Sequence, residues 1–171
     1  MIKELLSEEI LEDVKDYILN PHGFMVFAGK NGRGKSYVAM KIYEKLTPYK
    51  LPYHDHDLAW FINQADLNLK FTEANEIYGS SMGLLKEAYN TKFLVIDDFG
   101  TRTPSPAFMD FLYAIIDRRW NERNSVGTII TTNLSPEKIR KDFGDPIFSR
   151  IASGRNYLFK GPERRFGGLG F

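Results

Sequence analysis

The chain has 171 residues, of which 43% are hydrophobic, a formal net charge of +1 and no cysteine. This length suits one domain, residues 1–171, and the near-neutral charge excludes a global basic field for nucleic acid. The lack of cysteine excludes disulfides and cysteine-ligated zinc, and it is typical of a cytoplasmic protein. We find no apolar run long enough to span a membrane and no N-terminal signal peptide.

The first 22 residues predict a helix followed by a turn. Apolar residues four apart indicate an amphipathic helix over 4–19, and Ser7 is an alternative N-cap that would start the helix later. The turn at 20–23 leads into an apolar strand at 24–28.

A glycine-rich loop with the pattern G-x-x-x-x-G-K-S follows this strand and opens a helix. Glycines let the backbone turn tightly and approach a polyphosphate, and N–H groups at a helix N-terminus attract anions. Lys35 is expected to reach the outer phosphates, and Ser36 to place its hydroxyl on Mg²⁺. We therefore predict that ATP and Mg²⁺ bind at Gly29, Lys30, Asn31, Gly32, Arg33, Gly34, Lys35, Ser36 and Tyr37.

The next segment combines a polar connection, a strand and a long helical stretch. The tetrapeptide His54-Asp55-His56-Asp57 suits a metal site or a solvated loop, and we favour the loop because adjacent residues rarely converge on one ion. A strand is predicted at 59–63. Helix is predicted over 66–88, with breaks near 79–81 and at Gly83.

Two acidic residues, Asp97 and Asp98, directly follow a buried strand that is predicted at 93–96. Ligands of open α/β sheets bind at the carboxyl ends of strands. Asp97 is expected to hold Mg²⁺, directly or through water, and Asp98 to orient or deprotonate an attacking water. A solvated strand end is the alternative, and the phosphate loop upstream makes it the weaker one.

The remaining elements complete an α/β pattern. A helix over 107–121 precedes a strand that ends at Asn133, and a short helix is predicted over 145–151. Asn133 either contacts the γ-phosphate or the attacking water, or it caps the next helix, and spacing leaves both open. We predict helices on both faces of a mostly parallel five-stranded sheet, with strands at 24–28, 59–63, 93–96, 128–132 and 156–159.

Five motifs in a fixed order carry a family resemblance over nearly the whole chain. They are G-x-x-x-x-G-K-S at 29–36, F-L-V-I-D-D-F-G at 93–100, I-I-D-R-R-W at 115–120, T-I-I-T-T-N-L at 128–134, and F-S-R-I at 148–151 before P-E-R-R at 162–165. On these motifs the chain resembles AAA+ ATPases of the DnaC/DnaI helicase-loader and IstB-like group. The resemblance implies a P-loop NTPase with a three-layer sandwich.

The resemblance also implies roles for individual residues. Asp97 matches the Walker B metal acid, and Asp98 matches the catalytic acid, where other AAA+ branches often have glutamate. The shorter side chain implies slow hydrolysis. Asn133 matches sensor 1, and Arg150 matches an arginine finger that reaches the ATP of a neighbouring subunit. The alternative for Arg150 is a surface pair with an acid such as Asp145.

The function implied is that of an ATPase in DNA replication, a helicase loader stimulated by assembly or DNA. Its expected partners are a replicative helicase, single-stranded DNA and, on ATP binding, further copies of the chain. Sensor 2 falls on Arg164 or Arg165, which lie in a loose C-terminal tail over 161–171. Family loaders carry an N-terminal helicase-binding domain, whereas this chain starts almost at the ATPase core, as in a trimmed or compact version.

Three alternatives remain: a transposition helper ATPase, a nucleotide-binding switch with little hydrolysis, and a small-molecule kinase. The paired acids with Thr131-Thr132-Asn133 argue against the kinase. For DNA, lysines beside aromatics (Lys70 with Phe71, Lys86 with Tyr89) suit phosphate contacts and base stacking. A solvated helix with Phe71 in the core is equally compatible with the pattern.

Overall fold

The computed structural model describes residues 7–47 and 58–160. Eleven elements follow one another along the described chain. They are α1 (Glu8–Leu19), β1 (Gly23–Ala28), α2 (Lys35–Leu46), β2 (Ala59–Asn63), α3 (Gln64–Tyr78), α4 (Met82–Asn90), β3 (Phe93–Phe99), α5 (Pro106–Asn121), β4 (Gly127–Thr132), α6 (Pro136–Ala152) and β5 (Arg155–Leu158).

The strands form one sheet in the order β2-β3-β4-β1-β5, and every neighbouring pair is parallel. The predicted five-stranded parallel sheet is therefore confirmed. Because β4 lies between β1 and β3, the carboxyl ends of these three strands share one edge. Ala28 pairs with Thr132, so the phosphate loop leaves the sheet beside the end of β4.

Helices cover both faces of the sheet and enclose two apolar clusters. Val26 faces the layer of α3 to α6, and its neighbour Phe27 faces the layer of α1 and α2. Strands buried on both faces explain why β1 and β3 are apolar without alternation. Among the described helices, none is long and apolar enough to cross a membrane.

Several element boundaries differ from those predicted. The first helix begins at Glu8, and the Ser7 hydroxyl accepts from the N–H of Ile10, so the alternative N-cap is confirmed. Gly83 lies inside α4, so the predicted break there is wrong; a glycine without crowding is tolerated in a helix. β3 continues to Phe99, because a bulge lets Phe99 pair with Thr132 after the acidic residues. β5 starts one residue earlier than predicted.

The last helix is kinked at Gly144, which has φ 84° and ψ 160°. Positive φ is accessible to glycine without a Cβ penalty, so the chain turns here and resumes as helix. The kink separates a segment capped by Ser135 from the predicted short helix over 145–151. It thereby directs the second segment, which carries Arg150, along α5.

A buried arginine joins α5 to the other end of the sheet. Arg119 is 1% exposed, and its guanidinium donates to five oxygen atoms: the Thr128 hydroxyl and the carbonyls of Ala88, Tyr89, Thr91 and Gly127. Burial lowers the pKa of this guanidinium. The I-I-D-R-R-W motif thus includes a structural arginine far from the phosphate loop.

Candidate functional site

The phosphate loop is shaped by three glycines with positive φ: Gly29 at 137°, Gly32 at 73° and Gly34 at 90°. A Cβ on Gly29 would lie 2.6 Å from the carbonyl oxygen of Phe159, so any larger residue would clash with backbone. Gly34 is the N-cap of α2 and supplies no side-chain cap. The helix N-terminus therefore presents backbone N–H groups toward the loop, as an anion site requires.

The side chain of Lys35 connects this loop to β4. Its Nζ atom donates to the carbonyls of Gly29 and Lys30 at 2.8 and 2.9 Å and to Oδ1 of Asn133 at 2.7 Å. Lys35 is only 5% exposed. The structure thus brings the lysine and the asparagine together although 98 residues separate them.

Asn133 does not cap the following helix. The N-cap of α6 is Ser135, whose side chain accepts from the N–H of Lys138. The capping alternative for Asn133 is therefore wrong, and its contact with the γ-phosphate or the attacking water stays a prediction.

The acidic pair is held against β4 by Thr131. The Thr131 hydroxyl donates to Oδ1 of Asp97 at 2.5 Å and accepts from the N–H of Asp98 at 3.0 Å. Asp98 has φ 52°, the only positive φ of a non-glycine residue in the described ranges. This role of Thr131 was not predicted from the sequence, where its signal was a polar pair, Thr131-Thr132, at the end of a buried strand.

The residues present fit a nucleotide polyphosphate. The Nε atom of Arg33 is buried and has no hydrogen-bond partner among the described residues, so the loop holds an unsatisfied cationic donor. A cavity of about 660 Å³ extends from Gly29, Lys30 and Arg33 along β5 to the apolar side of α6. Ser36 and Asp97 offer the oxygen ligands that Mg²⁺ prefers.

Arg150 is folded against α5 of its own chain. Its guanidinium forms an ion pair with Asp117, donates to the carbonyl of Pro146 at 2.8 Å and to the hydroxyl of Tyr113 at 3.3 Å, and lies over the rings of Tyr113 and Trp120. The suggested partner Asp145 is instead paired with Arg140. In this structure Arg150 therefore forms an ion pair within its own chain, as the alternative predicted, but its partner is Asp117 and not Asp145.

Other residues that the sequence suggested for DNA, nucleotide or metal binding either lie elsewhere in the fold or fall outside the described residues. Phe71 packs between Phe108 and Phe111, with ring centroids 5.5 and 4.9 Å away, so it belongs to the core and is not a stacking platform. Lys70 and Lys86 are exposed. Arg164, Arg165 and the segment 54–57 lie outside the described residues.

No protein-family model matches the chain. Among proteins of assigned function, the replicative helicase loader DnaC of Escherichia coli strain K12 is 26% identical over 132 residues, which are 77% of this chain and 51% of DnaC. A crystal structure of the DnaC helicase loader superposes with a TM-score of 0.70 at 23% identity, covering 88% of this chain and 87% of that one.

The chain is thus similar in sequence to the helicase loader DnaC, and its fold is that of the AAA+ cores of DnaC and DnaI. The same fold is found in DnaA from Aquifex aeolicus, bound there to AMPPCP, with a TM-score of 0.76 at 14% identity. That match covers 94% of this chain and 50% of DnaA. The chain spans about half the length of the curated relatives it matches, and the likeness covers their AAA+ core.

Proposed function

We propose that this helicase-loader-like protein binds ATP with Mg²⁺ at the phosphate loop and hydrolyses it slowly. The observation that carries the proposal is the hydrogen bond from Lys35 to Asn133 at the end of β4, the strand whose Thr131 also binds Asp97. The end of β4 therefore links three groups that a nucleotide-hydrolysing site needs. They are a cation for the phosphates, an acid for the metal and a polar group near the attacking water.

Each residue has a distinct part in this mechanism. Lys35 turns from the loop carbonyls to the outer phosphates. Ser36 and Asp97 would hold Mg²⁺, which would supply neutralisation of the phosphate charge. Asp98 orients the attacking water and accepts its proton, while the Asn133 amide, released from Lys35, helps to place that water. Arg33 is available for a further phosphate contact.

We further propose a role in DNA replication, with a replicative helicase and single-stranded DNA as partners. The similarity to DnaC supports it, as does the likeness to a DnaA structure bound to AMPPCP and single-stranded DNA. Exposed Lys70 and Lys86 supply phosphate contacts, whereas Phe71 is unavailable for stacking. ATP binding is expected to bring copies together so that Arg150 of one completes the site of the next.

Calorimetry with ATP and Mg²⁺ tests the site. Lys35→Ala is expected to weaken binding by about 2–3 kcal/mol, the magnitude of a charge-assisted contact. Lys45→Ala, on the exposed last turn of α2, is the control with unchanged affinity. Asp98→Asn should keep binding and lose turnover, whereas Asp97→Asn should weaken the Mg²⁺-dependent part. Unchanged affinity in folded Lys35→Ala protein would refute the assignment.

Binding of single-stranded DNA is tested separately, because the protein could bind DNA without hydrolysing ATP or hydrolyse ATP without binding DNA. Anisotropy of a labelled oligonucleotide with ATP present is expected to show binding that weakens with salt. Lys70→Ala with Lys86→Ala should reduce it. No binding at low salt, where electrostatic contacts are strongest, would remove DNA from the proposal and leave the ATPase intact.

A further inference from the structure

A buried glutamine, Gln64, contacts the turn that carries the acidic pair from the side opposite β4. It is the first residue of α3, directly after β2, and is 4% exposed. Its Oε1 atom accepts from the N–H of Gly100 at 2.7 Å, and its Nε2 atom donates to the carbonyl of Arg102 at 3.3 Å. Both ends of the amide are therefore bound to the chain just after Asp98.

This turn departs from regular strand geometry. The register of β3 against β4 shifts between Ile96 and Phe99. Asp98 lies within the shift at φ 52°, and Gly100 follows at φ 87°. The carbonyl of Asp98 accepts from the backbone N–H and the hydroxyl of Thr101, which closes the turn. A non-glycine residue at positive φ is held there only when its surroundings over-determine the conformation.

Contacts from both neighbouring strands supply that constraint. On the β4 side, Thr131 accepts from the N–H of Asp98, and Thr132 donates to the carbonyl of Phe99 at 2.7 Å. On the β2 side, Asn63 pairs with Asp97 in register, and the next residue, Gln64, reaches Gly100. Asn63 itself is engaged with Asp66 as the cap of α3, so Gln64 is the side chain that reaches the turn from this side.

We propose that Gln64 is a positioning residue for Asp98. The inference rests on the proposed role of Asp98 in hydrolysis. By holding Gly100 and Arg102, the Gln64 amide keeps the closed turn in register with β2 and fixes the direction in which the Asp98 carboxylate leaves the backbone. Without the amide, Thr131 still holds the start of the turn, so the metal acid Asp97 stays in place while Asp98 loses its orientation.

The test uses Gln64→Met, which keeps the length of the side chain and removes both hydrogen bonds. The expected result is at least a tenfold fall in kcat for ATP, with ATP affinity within twofold of wild type. Gln64→Asn keeps an amide but is too short to reach Gly100, so it provides the same comparison if the methionine variant folds poorly. Ser105→Ala, which removes one bond to backbone N–H at the start of α5, is the control with normal kcat.

Hydrogen exchange adds a measurement that does not depend on hydrolysis. A peptide covering residues 97–104 should exchange faster in Gln64→Met than in wild type or Ser105→Ala protein, because the Gly100 amide loses its acceptor. Three results for the Gln64→Met protein would each overturn the proposal: a kcat equal to that of wild type, a parallel loss of ATP affinity and kcat, or unchanged exchange of this peptide. If wild-type protein shows no ATP turnover, the proposed hydrolysis fails, and unchanged exchange would then refute the positioning role separately.

Discussion

Replacing Thr131 with valine removes one hydroxyl from the centre of the candidate site at almost constant volume. The structure gives that hydroxyl two bonds, one to the Asp97 carboxylate at 2.5 Å and one from the Asp98 N–H at 3.0 Å. A bond to a charged group contributes about 1.5–3 kcal/mol, and a buried N–H without an acceptor costs about 1–3 kcal/mol. Because both aspartates are partly exposed, water recovers some of this, and we expect a net loss of about 2–3 kcal/mol.

Thr128→Val is a matched control on the same strand. Its hydroxyl is also buried and also bonded to a charged group, Arg119, at the opposite end of β4. Denaturant unfolding should show a similar loss of stability for both variants, whereas ATP turnover should fall at least tenfold only in Thr131→Val. Equal turnover in the two variants under conditions where both are folded would refute the view that Thr131 organises the acidic pair.

Two further predictions concern the end of the sheet away from the phosphate loop, where Tyr17 and Arg119 are buried. Burial raises the pKa of Tyr17, so its neutral phenol stabilises the fold below pH 10, and this stability is lost as the pH rises above 10. The free energy of unfolding of wild type, relative to that of Tyr17→Phe, should therefore fall by about 1.4 kcal/mol per pH unit above pH 10. Urea unfolding measures both values, and the comparison cancels the titration of Arg119 because both proteins contain it. Arg119→Met should lower the free energy of unfolding by about 3–5 kcal/mol, because four carbonyls lose a donor; Arg119→Lys should rescue little of it, since one ammonium cannot reach five oxygens. A loss below 1 kcal/mol for Arg119→Met would contradict this reasoning.

The fold was predictable because its signals are local and strong. Apolar runs of five or fewer residues bounded by turns mark β1 and β3, and the glycine pattern marks the loop between β1 and α2. The parallel arrangement follows from strands that alternate with helices. Boundaries failed where tertiary contacts override propensity, as at Phe99, which pairs with Thr132 beyond a bulge.

The site was predictable at its motifs and unpredictable at its supports. Lys35 and Asp97 stand in recognisable patterns, whereas Thr131 and Gln64 act through contacts made 34 and 36 residues away in the chain. Their types, threonine in a strand and glutamine at a helix start, are common in structural positions. Only the register of β2, β3 and β4 shows that both side chains meet the turn that follows Asp97.

Arg150 provides a final prediction, because its present contacts compete with the function proposed for it. An arginine that completes the site of a neighbouring copy must leave Asp117, Tyr113 and Trp120 of its own chain. The side chains of the ion pair are 21% and 32% exposed, so solvent screens the pair and its contribution is about 1 kcal/mol. Removing the acid should therefore favour release of the arginine by about fivefold.

Three measurements follow from this competition. Turnover per chain should rise with protein concentration, and Asp117→Asn should reach half-maximal turnover at about fivefold lower concentration than wild type. Asp142→Asn is the control and should behave as wild type, because it breaks an ion pair with Lys138 within α6, the helix that carries Arg150. Arg150→Ala should bind ATP normally and lose turnover, and mixing it with Lys35→Ala protein should restore activity, because one mixed interface then joins an intact phosphate loop to an intact arginine. Wild-type turnover of folded Arg150→Ala at saturating protein would show that Arg150 serves only its own chain, as a partner of Asp117 that holds α6 against α5.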